Sequence, residues 1–462
     1  MSAPDVIVIG AGVAGLAAAT ALAEGGARVL VVEARGILGG RASAFRDNVT
    51  GDLVDNGQHV ILGCYHETFR FLRRVGADNA VRLQASLEVP TVDRGGVRSV
   101  LRCPALPAPL HLLAGLLGWS ALGWRDRASA FRVAPALVRA RRRAARGQDA
   151  GPELADETVD AWLERHRQSP RLRALLWEPL AVAALNQDVR SATAAPFVRV
   201  VGAVFGGRPA EAAIGIPAVP LSELFGTPAE RYLAERGGLV RRHAPARLVL
   251  AGRMVVGIEV RGERIRAGTV VAAVPWHAWR TLVADVDAGP VAALRAAAVA
   301  RRPSPIVTVN LWLDRTVLDV PFLSLPGRRF QFVFDRTRPE RSGPAHLSLV
   351  SSGADDVLRQ PSDRLVSTAF AELRAAVPEA RGAALVRGSV VREPRATFSL
   401  APGEPPRPRN RTPATGLWLA GDWTDTGLPA TIESAALSGH RAAAEILGRP
   451  TSEARPLPSD GR

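Results

Sequence analysis

The sequence predicts an α/β fold: a dinucleotide-binding domain of parallel strands and helices, split along the chain, with an α+β substrate-binding domain inserted into it. Three observations predict it. A strand, glycine turn, helix and second strand open the chain, and a further apolar strand followed by Gly-Asp stands about 400 residues downstream. The length of 462 residues also exceeds what one hydrophobic core usually organises. Hydrophobic residues make up 47 % and charged residues 22 %, which excludes a largely disordered or fibrous chain.

Residues 5–9 (DVIVI) form a short β-branched run of the kind that makes a buried parallel strand. Gly10, Gly12 and Gly15 follow at the spacing that allows a tight turn, close approach of a pyrophosphate and close helix–strand packing. An alanine-rich helix is expected over 16–24, and the N–H groups at its start, Val13 and Ala14 among them, suit phosphate oxygens. Gly25-Gly26 ends it. Residues 28–32 (RVLVV) then make a second buried strand, finishing at Glu33 with Ala34 beside it. An acid at that spacing accepts hydrogen bonds from ribose hydroxyls and disfavours a 2′-phosphate. The unit is Rossmann-type. Directly after it, Gly39-Gly40-Arg41 allows backbone and a bidentate guanidinium to approach a diphosphate together.

This Gly-Gly-Arg extension resembles the flavoprotein superfamily of amine oxidases and carotenoid desaturases, which implies FAD. The resemblance extends to the far end of the chain, where the strand at 416–420 (GLWLA) leads into Gly421-Asp422. The superfamily sets such a carboxylate at the ribityl and phosphate region. Pro429, Thr431 and Ile432 open a helix running to about 447, and the resemblance points its N-terminus at the pyrimidine end of the isoalloxazine, where it would stabilise negative charge. Between the two ends, Ala246 in HAPAR matches the position where relatives set a small apolar residue against the adenine. Core packing is the competing reading of Ala246.

Four further segments narrow the resemblance: 55–65, 176–187, 220–225 and 421–439. Together they resemble the bacterial squalene-associated flavoproteins, the hydroxysqualene dehydroxylases of hopanoid biosynthesis, over nearly the whole chain except its tail. The implied reaction replaces an allylic hydroxyl of hydroxysqualene by hydrogen, giving squalene, with hydride from reduced flavin N5 and acid-assisted loss of water. The same resemblance puts Gly57, Gln58 and His59 beside the flavin. His59 is the first candidate acid, against a histidine that only hydrogen-bonds flavin or a carbonyl. Asp425 and Glu178 are the alternatives, against helix capping and an internal ion pair.

The expected domains are 1–79, 211–284 and 406–450 for the FAD-binding part, 80–210 and 285–405 for the substrate part, and a disordered tail at 451–462. In the first substrate piece, 104–124 is the most apolar stretch, but its prolines confine a helix to 110–124, too short to span a bilayer. Residues 125–146 follow with eight arginines against one acid. Apolar helix beside basic helix reads either as an interfacial element on anionic lipid or as a tunnel wall with a solvated basic face.

Composition removes other classes. Two cysteines, Cys64 and Cys103, lack metal-ligand spacing and suit a reducing cytoplasm; with no cationic leader, the expectation is a chain starting near Met1 there, on or near the inner membrane face. All 59 basic residues are arginine, which excludes lysine Schiff-base chemistry and a Walker-type phosphate loop. A net charge of +15 would suit nucleic acid, but no nucleic-acid-binding signature accompanies it, so none is expected as a partner. An amine oxidase is disfavoured because many relatives in that branch carry a lysine near flavin N5. A carrier resembling GDP-dissociation inhibitors would not need this complete set of flavin contacts. The runner-up is a carotenoid desaturase, which removes hydride rather than adding it. The electron donor and the oligomeric state are not legible.

Overall fold

Every residue of β1 (Val6–Ile9) and β2 (Val29–Val32) is buried, as parallel strands covered on both faces require. The computed structural model describes residues 3–144, 146, 148, 151–283, 289–337 and 344–450; the tail expected at 451–462 lies outside them. β1 and β2 sit in a five-stranded parallel sheet ordered Leu239–Arg241, β2, β1, Val270–Ala272, Leu417–Leu419. The two faces separate by residue parity. Val6, Val8, Val29 and Val31 pack on α1 (Val13–Glu24), while Ile7, Ile9, Leu30 and Val32 pack toward the three-stranded antiparallel sheet of Ala246–Ala251, Met254–Val260 and Glu263–Arg266.

The helix begins three residues earlier than the sequence expectation, with Gly12 as its extended N-cap. Alanines let the Ile432–Ile446 helix approach α1 so closely that a Cβ on Gly439 would lie 2.3 Å from the Ala14 carbonyl oxygen. The two ends of the chain therefore share one core.

A mixed seven-stranded sheet makes the second half, ordered Leu385–Phe398, Pro303–Leu313, Ala345–Ser352, Phe332–Asp335, Phe322–Ser324, Glu88–Val92, Arg98–Arg102. Strands from both sides of the central chain join it through the parallel pairing of Ser324 with Thr91. A small sheet of Ile61–Leu62, Ile214–Pro217 and Val81–Leu83 crosses the boundary expected near residue 80. Val307, Val309, Leu311 and Leu313 face the Ser362–Ala376 helix, which turns Thr308, Asn310 and Trp312 to the opposite face, toward the site.

α2 (His66–Val75) follows the small sheet's first strand. The helix expected over 110–124 is shorter. α3 (Leu110–Gly118) stops because Trp119 adopts an extended conformation, burying its indole and donating Nε1–H to Ser99 Oγ at 3.1 Å. The basic stretch divides into α4 (Trp124–Ala130) and α5 (Ala134–Ala144), joined by a 3₁₀ turn at Phe131–Val133.

Candidate active site

The glycine turn after β1 is built so that backbone meets backbone. Gly10 has φ +101°, and a Cβ there would lie 2.5 Å from the Ala273 carbonyl oxygen; a Cβ on Gly15 would lie 1.9 Å from the Gly10 carbonyl oxygen. The second glycine pair folds onto the first turn. Gly39 N–H donates to the Ala11 carbonyl at 2.8 Å, and a Cβ on Gly40 would reach within 2.9 Å of Gly12 Cα. Behind them, the buried Glu33 carboxylate accepts from Ala11 N–H at 2.8 Å and Arg35 N–H at 2.9 Å. No acidic residue occupies the first turn of α1, and no side chain caps it, so its leading N–H groups remain available to an anion.

Arg41 and Asp422, 381 residues apart, pair at 2.6 Å, and the other guanidinium nitrogen donates to the Ala396 carbonyl at 2.6 Å. The segment 421–434 is braced from behind by Arg407, which donates to the Asp422 carbonyl at 2.8 Å and to Thr426 Oγ1 at 2.9 Å; burial pushes this guanidinium down to about 10. Thr431 caps the Ile432–Ile446 helix by accepting from Ser434 N–H at 3.1 Å. Glu433 turns away to cap α2, accepting from Glu67 N–H and Thr68 N–H, each at 2.9 Å. Burial pushes the Glu433 carboxyl up to about 7.

The 55–59 segment joins these parts to the second half. Asp55 accepts from Leu221 N–H and from Arg336, each at 3.0 Å, and Asn56 Nδ2 donates to Glu393 at 3.2 Å. A Cβ on Gly57 would lie 3.9 Å from Thr308 Oγ1. The Gly57 carbonyl can only accept, so at 2.9 Å it accepts a hydrogen bond from His59 Nδ1–H, and neutral His59 presents Nε2 as an acceptor. Burial chiefly, with Arg41 adding to it, lowers the His59 pKa. Opposite stand Asn310, whose Oδ1 accepts from His346 Nε2–H at 3.0 Å and Ser348 Oγ–H at 2.6 Å, and Trp312, stacked on His346 at 4.4 Å. Buried Thr308 Oγ1 and Asn310 Nδ2 have no hydrogen-bond partner among the described residues, which marks a face ready for polar groups of a ligand.

The structure thus brings Gly10, Gly12, Val13, Ala14, Gly15, Glu33, Gly39, Gly40, Arg41, Gly421 and Asp422 together. Half-buried Gln58 flanks Gly57 and His59, and buried Pro429 precedes Thr431 and Ile432 at the helix start. Exposed Ala34 follows Glu33; Ala244 N–H donates to the Glu33 carbonyl at 2.8 Å, which carries half-buried Ala246 to the same edge. Asp425 and Glu178 stand elsewhere. Asp425 is exposed, and Glu178 lies 4.0 Å from Arg173 with its pKa raised by burial; neither hydrogen-bonds a residue of this cluster. Asp425 sits on an exposed turn and Glu178 is half-buried on its own helix, both apart from the 55–59 cluster. Sequence reasoning missed Arg407, Glu393 and Asn310. A proline-rich loop and two alternating strands carry no spacing that would have singled them out.

The residues fit a dinucleotide flavin. Positive-φ glycines leave room for a diphosphate, the α1 N-terminus and Arg41 would hold its oxygens, and Glu33 would hold a ribose. The sequence profile of the flavin containing amine oxidoreductases matches residues 13–447. A hydroxysqualene dehydroxylase from Sinorhizobium fredii is 30 % identical, covering 95 % of this chain and 97 % of its own. A 15-cis-phytoene desaturase from Synechococcus elongatus is 24 % identical, covering 96 % of each. Among solved structures, an oxidoreductase from Methanosarcina mazei superposes with a TM-score of 0.73 at 18 % identity, covering 96 % of this chain and 100 % of that one.

Proposed function

This chain belongs to the flavin-containing amine oxidoreductases and is an FAD-dependent oxidoreductase, and from that premise we propose that it reductively dehydroxylates hydroxysqualene to squalene. The observation that carries the reading is the apolar cluster packed against the 57–60 segment. Val60, next to His59, packs into a cluster of Phe322, Phe334, Val350, Ile306 and Phe332. Such a wall suits a long hydrocarbon, and the 30 % identity to a hydroxysqualene dehydroxylase over nearly full length supports the same substrate class.

Bound and reduced, FAD supplies the hydride. For each substrate, hydride goes to the allylic carbon, the C–O bond breaks, and one proton converts the departing hydroxide to water. A reductant outside the chain returns the two electrons. Arg41, the α1 N-terminus and Glu33 bind and orient; the Phe322–Phe334 wall excludes water from the allylic centre. His59 brings the proton. Neutral, its Nε2 accepts from the substrate hydroxyl and aligns it; protonated, Nε2–H donates to the oxygen as it leaves.

Because burial lowers the His59 pKa, the imidazolium becomes populated only as pH falls, so the dehydroxylation rate rises toward acid pH. His59→Ala should slow the step by ~10²–10⁴ and flatten that pH dependence, with the bound-flavin spectrum unchanged. The test of the function is an anaerobic single turnover. The flavin is photoreduced, hydroxysqualene is added, and flavin reoxidation and squalene are followed together. Matched reoxidation and squalene formation supports dehydroxylation. Inert hydroxysqualene, with oxidised enzyme desaturating an isoprenoid, would replace it by the phytoene-desaturase-like reading, which the Synechococcus relative favours.

A further inference from the structure

Residues 104–144 make up less than a tenth of the chain but hold six of the 16 large hydrophobic side chains exposed among the described residues. They are Leu106, Leu110, Leu117, Trp124, Phe131 and Val138, and Trp124 is 72 % exposed. Such a concentration marks a contact surface rather than scattered apolar residues. Its shape follows from how the helices pack. α3 buries His111, Gly115 and Leu116 against the strand ending at Arg102, where a Cβ on Gly115 would meet Cys103 Sγ at 2.7 Å, and this turns Leu110 and Leu117, one heptad apart, outward. α5 buries Ala140 toward the Ala194–Gly206 helix and turns Val138, Arg139 and Arg142 outward.

Charge chooses the occupant. Asp126 is the one acid in the segment, and its carboxylate is already used to accept from Gly123 N–H at 2.9 Å. Exposed Arg125 lies over Trp124, its guanidinium 5.3 Å from the ring centroid. A second copy of this face would bring arginine against arginine. A nucleic acid would satisfy the arginines and leave the leucines in water. A bilayer with anionic headgroups satisfies both, and among the described residues no helix is long and apolar enough to cross it.

We propose that the α3–α5 face seats on the surface of an anionic bilayer, with Leu110, Leu117 and Trp124 below the headgroups and the arginines on lipid phosphates. A cavity of about 220 Å³ opens beside it, between α5 and the Ala194–Gly206 helix. Arg141, Gly202, Cys64 and Leu428 are among the residues that line it. The seating therefore sets the membrane beside this cavity. This inference does not depend on which isoprenoid is the substrate.

The test uses the FAD-loaded enzyme in co-sedimentation with vesicles of phosphatidylcholine alone or with phosphatidylglycerol added. Wild type should bind the anionic vesicles only, with binding that weakens as salt rises. Arg139→Glu/Arg142→Glu should weaken it at least ~10-fold, since each arginine near an anionic surface contributes about fivefold. Trp124→Ser/Leu117→Ser should weaken it comparably. Both variants should keep the bound-flavin spectrum and turnover of detergent-dispersed substrate, so loss of docking and failure of the functional reading are told apart. The proposal is overturned by equal binding to neutral vesicles, by no binding at all, by variants that bind as wild type, or by an oligonucleotide that displaces the vesicles.

Discussion

On one side of the site, residues 6–41 fold on themselves almost wholly through backbone: Gly39 on Ala11, Gly40 on Gly12, Gly15 under Gly10, with Glu33 as the buried side chain that ties the turn and the Arg41–Asp422 pair as the link to the 421–434 segment. On the other side, Thr308, Asn310, Trp312 and their neighbours His346 and Ser348 project from two strands paired antiparallel with each other. The first wall fits its ligand by leaving side chains out. The second fits by putting them in, and can exchange them without disturbing the strands beneath.

That contrast orders the expected effects. Gly15→Ala comes first, because the new Cβ meets a carbonyl 1.9 Å away and neither backbone can move without parting β1 from α1. It should cost at least ~3 kcal/mol in urea unfolding and yield colourless protein. A yellow, stable variant would mean that the turn is less tightly built than the distances say. Arg41→Ala comes next. It leaves buried Asp422 without its cation and would take a charge-assisted donor from the diphosphate, so FAD titrated into the apoenzyme should bind about 10–100-fold more weakly.

Glu433→Ala tests the seating of α2 on the first wall's core. Two α2 N–H groups lose their acceptor, at about 1–3 kcal/mol by chemical denaturation. Its pH dependence has a definite sign. The folded carboxyl holds its proton up to about 7 against an ordinary 4.5, so this group's contribution to stability is full below 4.5 and falls as pH rises through about 7. The variant should lack that decline. Thr308→Val should have the smallest effect on stability, within about 1 kcal/mol, because Oγ1 has no partner to lose, while kcat/KM falls. A large loss of stability with unchanged kcat/KM would make the second wall structural rather than substrate-facing.

How legible each wall is follows from the same contrast. A backbone wall needs glycine at fixed spacing, between β-branched runs and before an acid, and Gly10, Gly12, Gly15, Glu33, Gly39 and Gly40 satisfy that need within a stretch of chain shorter than 40 residues. Local sterics dictate it, so it is visible without a structure. Asn310, Glu393 and Arg407 carry no such signal, since an alternating strand and a proline-rich loop suit them equally well on a surface. Asp425 and Glu178 were legible as acids but not by place: the fold leaves Asp425 exposed and sets Glu178 beside Arg173.

The chain by itself determined the α/β class and the glycine cradle for a dinucleotide, because those rest on which φ values and close approaches a residue type allows; FAD came from the family resemblance of the Gly-Gly-Arg extension. It also determined that an apolar stretch precedes a basic one, but not which side chains face water; the break at Trp119 and the outward turn of Leu110, Leu117 and Trp124 came from packing. Only the tertiary structure decided that Arg41 meets Asp422 across 381 residues, that Glu433 caps α2 instead of facing a ligand, and that Asn56 and Glu393 join the two halves. Contacts over such separations depend on how sheets and helices stack, and no local preference of the residues involved encodes that.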